Sequence, residues 1–447
     1  MQHSLAVTES VTGMPPLPST LIEWLEFLEA RHPQGADGIE LGLERVNAVK
    51  QGLAQIEDCP LILVGGTNGK GSCCAMLESV LLSAGYRVGL YTSPHLLSYN
   101  ERVRINGCSV SDEALCLAFA RVELARGETN LTYFEFGTLA AMEVFNAEKL
   151  DVIVLEVGLG GRLDATNIYR ADCTLIMTVD LDHQAFLGNT REAIGFEKAG
   201  IFRPAVPAIC GDPKPPQSLI DRASEIGAPL RILGRDFGYM PQEQQWQYWT
   251  FRGSESQREV VRRSGVAYPG LRGANQLANA AAVIAVLDAV ADLLPVAMKD
   301  IRQGLIEIRL PGRFQVLPGR PIIVLDVAHN AQAARVLADN LGGMGFHPRT
   351  LAVFGMMADK DIGEVIDALK DRVTHWLPSG LPGRRAISTN SLAEMLSARN
   401  LQVLSACKDV DSALSLARGS ANLDDRILVF GSFLTVAAAL RALGRSA

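Results

Sequence analysis

The sequence predicts an α/β protein of two domains, an N-terminal domain built on a parallel sheet and a smaller, Rossmann-like C-terminal domain. Three observations carry this. Short apolar runs alternate with helical patterns, which is the signature of parallel strands covered by helices. The alternation lapses near residue 235 and resumes near residue 322. The chain of 447 residues exceeds one ordinary domain and suits two or three.

In chain order, Leu61–Val64, Val88–Tyr91, Val152–Glu156 and Thr174–Val179 read as strands buried on both faces. Helical patterns fill the intervals at Lys70–Ala84, Asp112–Arg126 and Glu135–Glu148, with Leu77, Val80, Leu81 and Ala84 spaced to share one face. Residues 235–265, rich in Gln, Trp, Arg and Ser, read as a peripheral hairpin insertion. Helical segments Asn275–Asp292 and Ala297–Ile308 lead to Leu310-Pro311-Gly312, so the N-terminal domain is expected to span 1–309. In the C-terminal domain, 310–447, strands are expected at Ile322–Asp326, Leu351–Phe354, Val403–Ser405 and Ile427–Phe430, each followed by a helical pattern. That length falls within the usual domain range.

Composition excludes several classes. The 42 basic and 49 acidic residues give a net charge of −7, with no basic concentration of the kind a nucleic acid demands. No apolar run approaches the ~20 residues of a membrane span, and no basic-then-apolar leader opens the chain. Eight scattered cysteines contain no CxxC pair, so neither a zinc ribbon nor a disulfide framework is indicated. A reduced, cytoplasmic protein is expected.

The most informative stretch is Gly66-Thr67-Asn68-Gly69-Lys70-Gly71-Ser72. A glycine loop between a buried strand and a helix lets backbone N–H groups converge on an anion, and Lys70 adds a point charge. This is a triphosphate cradle. The general pattern GxxxxGK[ST] is not met, because Val64 stands at the first glycine and Gly71 separates Lys70 from Ser72. In the second half, Asp326 ends a strand where ligands of open α/β sheets gather, but Val327-Ala328-His329-Asn330 has no glycine, which excludes a dinucleotide site.

Other polar residues keep two readings each. Glu156 ends a buried strand, where a carboxylate is costly unless it pairs with a cation or binds a metal. His183 lies just past another strand and reads as a packed, capping or ligating residue. Lys198, in a helix over Glu192–Ala199, reads by itself as a solvated charge or an ion pair. Arg313 is either a surface ion pair or a residue fixed at the interdomain linker by Pro311-Gly312.

The variant GTNGKGS resembles the phosphate loop of folylpolyglutamate synthases, within the wider group of ATP-dependent amide ligases that includes the Mur peptide ligases. The likeness continues through Glu40-Leu41-Gly42-Leu43-Glu44-Arg45-Val46, Thr92-Ser93-Pro94-His95-Leu96 with Glu101-Arg102-Val103, Leu131-Thr132-Tyr133-Phe134-Glu135, Glu156 to Asn167, Leu181-Asp182-His183, Glu197-Lys198-Ala199-Gly200-Ile201, Leu310 to Phe314, Asp326 to Asn330 and Gly431-Ser432-Phe433. The set is most similar to the bacterial bifunctional dihydrofolate synthase/folylpolyglutamate synthase family.

The resemblance implies a P-loop ATPase-like N-terminal domain and a C-terminal glutamate-ligase domain. It implies a reaction in which ATP phosphorylates a carboxylate of dihydropteroate or of a tetrahydrofolate tail, and L-glutamate displaces the phosphate. Its ATP site would use Thr67, Asn68, Gly69, Lys70, Gly71 and Ser72 with Asn279, Arg313 and Asp326. Folate would meet Glu40, Leu41, Gly42, Thr132, Tyr133, Phe134, Glu135, Leu163, Asp164 and Ala165, with Glu40 replacing the aspartate common in relatives. Glutamate would meet His329 and Ser432. Two Mg²⁺ ions would be held by Ser72, Ser93, Glu156, His183 and Lys198, the lysine being carbamylated, and catalysis would rest on Lys70, Lys198, His183 and Glu156. A Mur-type cell-wall ligase and a nucleotide switch stand as the competing readings. A single chain holds the whole set, so a monomer is expected to suffice.

Overall fold

The computed structural model describes residues 17–31, 35, 38–53, 59–252 and 258–445, and elements are counted among these. Eight strands form the first sheet: β1 Leu61–Gly65, β2 Val88–Tyr91, β3 Val103–Ile105, β4 Cys108–Ser109, β5 Val152–Glu156, β6 Cys173–Ile176, β7 Ala208–Cys210 and β8 Leu230–Ile232. Their spatial order is β4-β3-β2-β5-β1-β6-β7-β8. The six strands from β2 to β8 in that order run parallel, while β3 and β4 add an antiparallel edge.

Strands β1, β2, β5 and β6 are buried at every residue. This is why they read as unbroken apolar runs, since helices cover both faces. One face packs the helix Tyr133–Asn146 through Phe136, Leu139 and Ala140. The other packs Lys70–Ser83 and Asn275–Ala289 through Met76, Val80 and Val283.

The stretch expected as a peripheral hairpin is a three-stranded antiparallel sheet of β9 Phe237–Pro241, β10 Trp246–Arg252 and β11 Glu259–Val266, ordered β11-β10-β9. It is not peripheral on its inner face. Phe237, Trp246 and Tyr248 are fully buried in the same cluster as Val64 and Ala280, and the Tyr248 hydroxyl donates to Asp288 at 3.2 Å. The polar composition that suggested exposure belongs to the outward alternate positions, as period-2 burial along β10 requires. Residues 253–257 of this stretch lie outside the described residues.

The third sheet contains β12 Gln315–Leu317, β13 Ile322–Asp326, β14 Thr350–Phe354, β15 His375–Pro378 and β16 Arg426–Phe430, ordered β12-β13-β16-β14-β15. All pair in parallel except β12. The strand expected at Val403–Ser405 does not form, and Val403 makes only an isolated bridge to Trp376. The strand there is β15 instead, hidden in the sequence because Trp376 and Leu377 are flanked by His375 and Pro378 rather than by further apolar residues.

Parallel order places the carboxyl ends of β1, β2, β5 and β6 on one rim. The loops that leave them carry Gly66–Gly69, Ser93, Gly158 and Thr178, and the rim of the third sheet turns Asp326 toward them. A single cavity of about 780 Å³ lies between.

Candidate active site

Strand β1 delivers the chain to Gly66 at φ +139° and Gly69 at φ +92°, conformations that glycine adopts without penalty. Close approach also demands glycine here. A side chain on Gly66 would stand 3.0 Å from Met177 Cβ, and one on Gly69 would stand 3.0 Å from Asn279 Oδ1. The helix Lys70–Ser83 begins at once, with its first N–H groups free to bind an anion. Lys70 Nζ donates to the carbonyls of Gly66 at 3.1 Å and Thr67 at 3.3 Å, which folds the side chain over its own loop.

A methyl on Gly71 would lie 3.6 Å from Arg313 Nη2 and 3.7 Å from Glu156 Oε1, so these opposite charges come down on the first helical turn. Glu156 is 4% exposed. Burial pushes its carboxyl above the ordinary range, opposed by Lys70, the Ser93 N–H, Arg313 and Arg102. Ser93 N donates to Oε2 at 3.0 Å, while Oε1 has no hydrogen-bond donor among the described residues.

Arg313 is half-buried, with its Nη1 shielded from solvent and unpartnered and its guanidinium 5.0 Å from the centre of the Phe433 ring. A buried donor without a partner is rare, and here it marks a place for an acceptor. Asp326 accepts from Phe314 N and Ala328 N, both at 2.8 Å. Burial pushes its carboxyl up and Arg313 pulls it back.

A second cluster joins the two halves of the chain. Asp182 pairs with Lys360 at 2.6 Å, with each side chain 10% exposed, and Asn330 Nδ2 donates to it at 3.2 Å. Burial favours the neutral Asp182 acid, but His329, whose Nε2 lies 3.7 Å away, outweighs it together with Lys360 and His183 and holds the carboxyl well below its usual range. His183 sits in the left-handed region at φ +50°. Burial lowers its pKa to about 4 despite Asp182, so the ring is neutral and able to ligate. Lys198, 4% exposed, has a pKa pushed down to about 7 by burial and then by Lys70, against the pull of Asp182 and Asp164. No hydrogen-bond partner meets its Nζ among the described residues.

The segments expected to meet the acyl donor are anchored by local hydrogen bonds. Thr132 and Glu135 form a reciprocal capping box on the helix Tyr133–Asn146, and Arg45 joins them through Glu135 Oε1 at 3.1 Å. Arg45 also faces the Glu40 carboxylate at 3.5 Å, which leaves Glu40 mostly exposed at the cavity mouth. Asp164 closes its loop by accepting from Leu159 N, Thr166 N and Thr166 Oγ1. The Phe134 ring lies against Gly158, where a side chain would intrude to 2.5 Å.

Every residue singled out from the sequence lines the cavity except Gly42. Gly42 instead turns the backbone beside Glu44, where a methyl would stand 3.1 Å from the carboxylate. Ser432 lines the cavity while its Oγ caps the final helix, accepting from Leu434 N at 2.9 Å. Sequence reasoning gave no role to Arg102, Asp182, Asn330, Gln332 or Lys360. Asn68 donates to Asn330 at 3.1 Å and to Gln332 at 2.6 Å, contacts that span more than 260 positions and leave no periodic signal.

The donor set suits magnesium. Among the described residues no three His, Cys, Asp or Glu side chains gather into a cage. The hard oxygens are Glu156 Oε1 and the Ser72 and Ser93 hydroxyls, which matches an ion that keeps several waters and shares phosphate oxygens.

Residues 312–433 match the family model described as Mur ligase, glutamate ligase domain, which sets the class. The dihydrofolate synthase/folylpolyglutamate synthase of Escherichia coli is 42% identical over 424 residues, 95% of each chain. That of Haemophilus influenzae is 39% identical over 442 residues, covering 94% of this chain and 96% of its own. The solved structure of E. coli FolC in complex with DHPP and ADP matches with a TM-score of 0.88 at 40% identity, over 96% of this chain and 99% of that one. A bifunctional folylpolyglutamate synthase/dihydrofolate synthase structure with Mn, AMPPNP and L-glutamate bound matches with a TM-score of 0.86 at 43% identity, over 96% and 99% of the chains. The chain belongs to the dihydrofolate synthase/folylpolyglutamate synthase family.

Proposed function

We propose that this chain is an ATP-dependent amide ligase that adds L-glutamate to dihydropteroate, making dihydrofolate, and to the glutamate tail of tetrahydrofolates. The observation that carries the reading is one cavity in which the phosphate loop, the buried Glu156 and the Thr132–Glu135 wall face Asp326, His329 and Ser432. A carboxylate at neutral pH is a poor electrophile, so ATP must first convert it to an acyl phosphate. The glutamate amine then attacks, and phosphate leaves.

The chain's own residues supply position and charge for both steps. The phosphate-loop N–H groups and Lys70 hold the triphosphate, and Arg313 Nη1 awaits an oxygen of the transferring phosphoryl. Asp326 and Asn279 reach ATP from opposite sides. Glu40, Leu41 and the loops at 132–135 and 163–165 hold the acyl donor, while His329 and Ser432 stand near the incoming glutamate. Mg²⁺, with Ser72, Ser93, Glu156, His183 and Lys198 as its holders, would neutralise crowded phosphate oxygens.

Lys198 fits a carbamate, because burial lowers its pKa to about 7, so near neutral pH a substantial share of the amine is uncharged and can take up CO₂ with release of a proton. The product is an anionic, carboxylate-like holder for metal. Lys198→Ala should be inactive and partly rescued by small carboxylates. Rescue by small amines would assign a cationic role instead.

The domain division at 309/310, a monomeric state and a cytoplasmic site of action belong to the same reading. Eight free thiols support it, as does a cavity built from one chain. No helix of the described residues is long and apolar enough to cross a membrane. The test is incubation with ATP, labelled glutamate and either acceptor. Product from both is expected, product from tetrahydrofolate alone would remove the first activity, and product from neither would overturn the assignment.

A further inference from the structure

The loop between β2 and β3 holds an arginine in an unusually complete bracket. Glu101 ties the loop together by accepting from Leu96 N at 2.7 Å and from Leu97 N and Ser98 N at 2.8 Å each. Arg102, at the end of the 3₁₀ turn Tyr99–Arg102, lies 5.1 Å from the Tyr99 ring centre and 5.7 Å from that of Tyr133. Its Nε donates to His95 Nδ1 at 2.9 Å. Because Arg has no acceptor atom, His95 must accept there, which puts the imidazole proton on Nε2. The His95 ring is itself packed on Tyr99 at 5.9 Å.

The consequence is a selected binding mode. Guanidinium can meet a carboxylate through Nε and one terminal nitrogen, or end-on through both terminal nitrogens. His95 occupies Nε, so only the end-on fork remains. Neither terminal nitrogen has a hydrogen-bond or ion-pair partner among the described residues, and Arg102 lines the cavity between Glu156 and Tyr133. One side of that position is the phosphate end of the site, and the other is the wall assigned to the acyl donor.

We propose that His95 is a positioning residue that presents the end-on fork of Arg102 to a carboxylate of the acyl donor. The inference rests on the ligase reading above. Dihydropteroate carries one carboxylate, the one that reacts, whereas a tetrahydrofolate ending in glutamate carries a second beside it. The two acceptors therefore tell which carboxylate the fork receives.

Wild-type turnover is measured first, since its absence would overturn the ligase reading and not this one. Arg102→Lys keeps the charge and loses the fork, and should raise the acyl-donor KM by about tenfold with the KM for ATP and glutamate within about twofold. His95→Leu should move the same constant in the same direction. His95→Asn should restore it to within about twofold of wild type, because the Asn Oδ1 accepts the Nε–H in place of Nδ1. The double variant His95→Leu/Arg102→Lys should be no worse than Arg102→Lys alone. An effect with both acceptors assigns the reacting carboxylate, and an effect with tetrahydrofolate alone assigns its neighbour. ADP affinity by calorimetry reports folding apart from activity and should be unchanged. An unaltered acyl-donor KM in Arg102→Lys, equal damage from His95→Asn and His95→Leu, or a matching rise for ATP and glutamate would each overturn the proposal.

Discussion

Lys70 and Lys198 sit in one cavity, and burial separates their chemistry. Lys70 keeps partners among the loop carbonyls, and Lys70→Ala should lower kcat on the order of a hundredfold while leaving the circular dichroism spectrum intact, because only a phosphate-directed charge is removed. Normal turnover in that variant would sink the phosphate-loop assignment. Lys198 has its pKa lowered from 10.5 to about 7. Between those values the unfolded chain holds a proton that the folded chain has shed, so stability rises with pH across this window, while below it the cost of burying the charged amine is full and no longer changes with pH. In CO₂-free, metal-free buffer, Lys198→Met should therefore stabilise the protein most below pH 7, by no more than about 5 kcal/mol for a shift of this size. The gain should vanish by pH 10.5, and a gain constant with pH in urea titrations would refute the buried-amine account. Lys70 announced itself through its glycines, whereas Lys360 did not. Lys360 stands in Asp359-Lys360-Asp361, which reads as a solvated charge run, and its partner Asp182 is 178 positions away.

At the scale of elements, β2, β5 and β13 were legible to the residue because burial on both faces leaves an apolar run with nothing else to become. The helix Asp112–Arg126 was equally clear, opened by Ser111 as its cap. What failed was whatever depended on partners. Strand β15 is apolar for only two residues, and the sheet of β9, β10 and β11 hides its buried tryptophan among polar neighbours. Trp246→Ala should cost about 3 to 5 kcal/mol in chemical denaturation, as loss of a fully buried aromatic does, while leaving the KM for every substrate unchanged, since that sheet contributes nothing to the cavity lining. The helix Tyr133–Asn146 makes the opposite case, because its capping box and the wall proposed for the acyl donor are the same residues. Thr132→Ala should lose about 1 kcal/mol of stability and raise the acyl-donor KM together, and a variant altering one without the other would separate the two roles.

Across the whole molecule, closure is held by contacts that only a folded pair of sheets can make. Removing one partner from the buried Asp182–Lys360 pair strands a charge. Lys360→Met should raise the glutamate KM and enlarge the radius of gyration seen by X-ray scattering, with ADP affinity little changed, and an unaltered radius would place the lysine outside the closure contact. The architecture was readable as two α/β units. Their facing was not, because no periodicity records which carboxyl ends meet. That facing separates the walls of the cavity by origin. Tyr133, Phe134, Leu163 and Ala165 come from the first sheet's loops, and His329, Ser432 and Lys360 come from the third's, with the phosphate loop at the seam. On the proposed assignment of these walls, the molecule to be extended and the amino acid to be attached are recognised by different stretches of the chain. A chimera that takes residues 310–447 from a relative using another amino acid should inherit that building block while keeping its own acceptor, so the two halves of substrate choice are free to evolve one at a time.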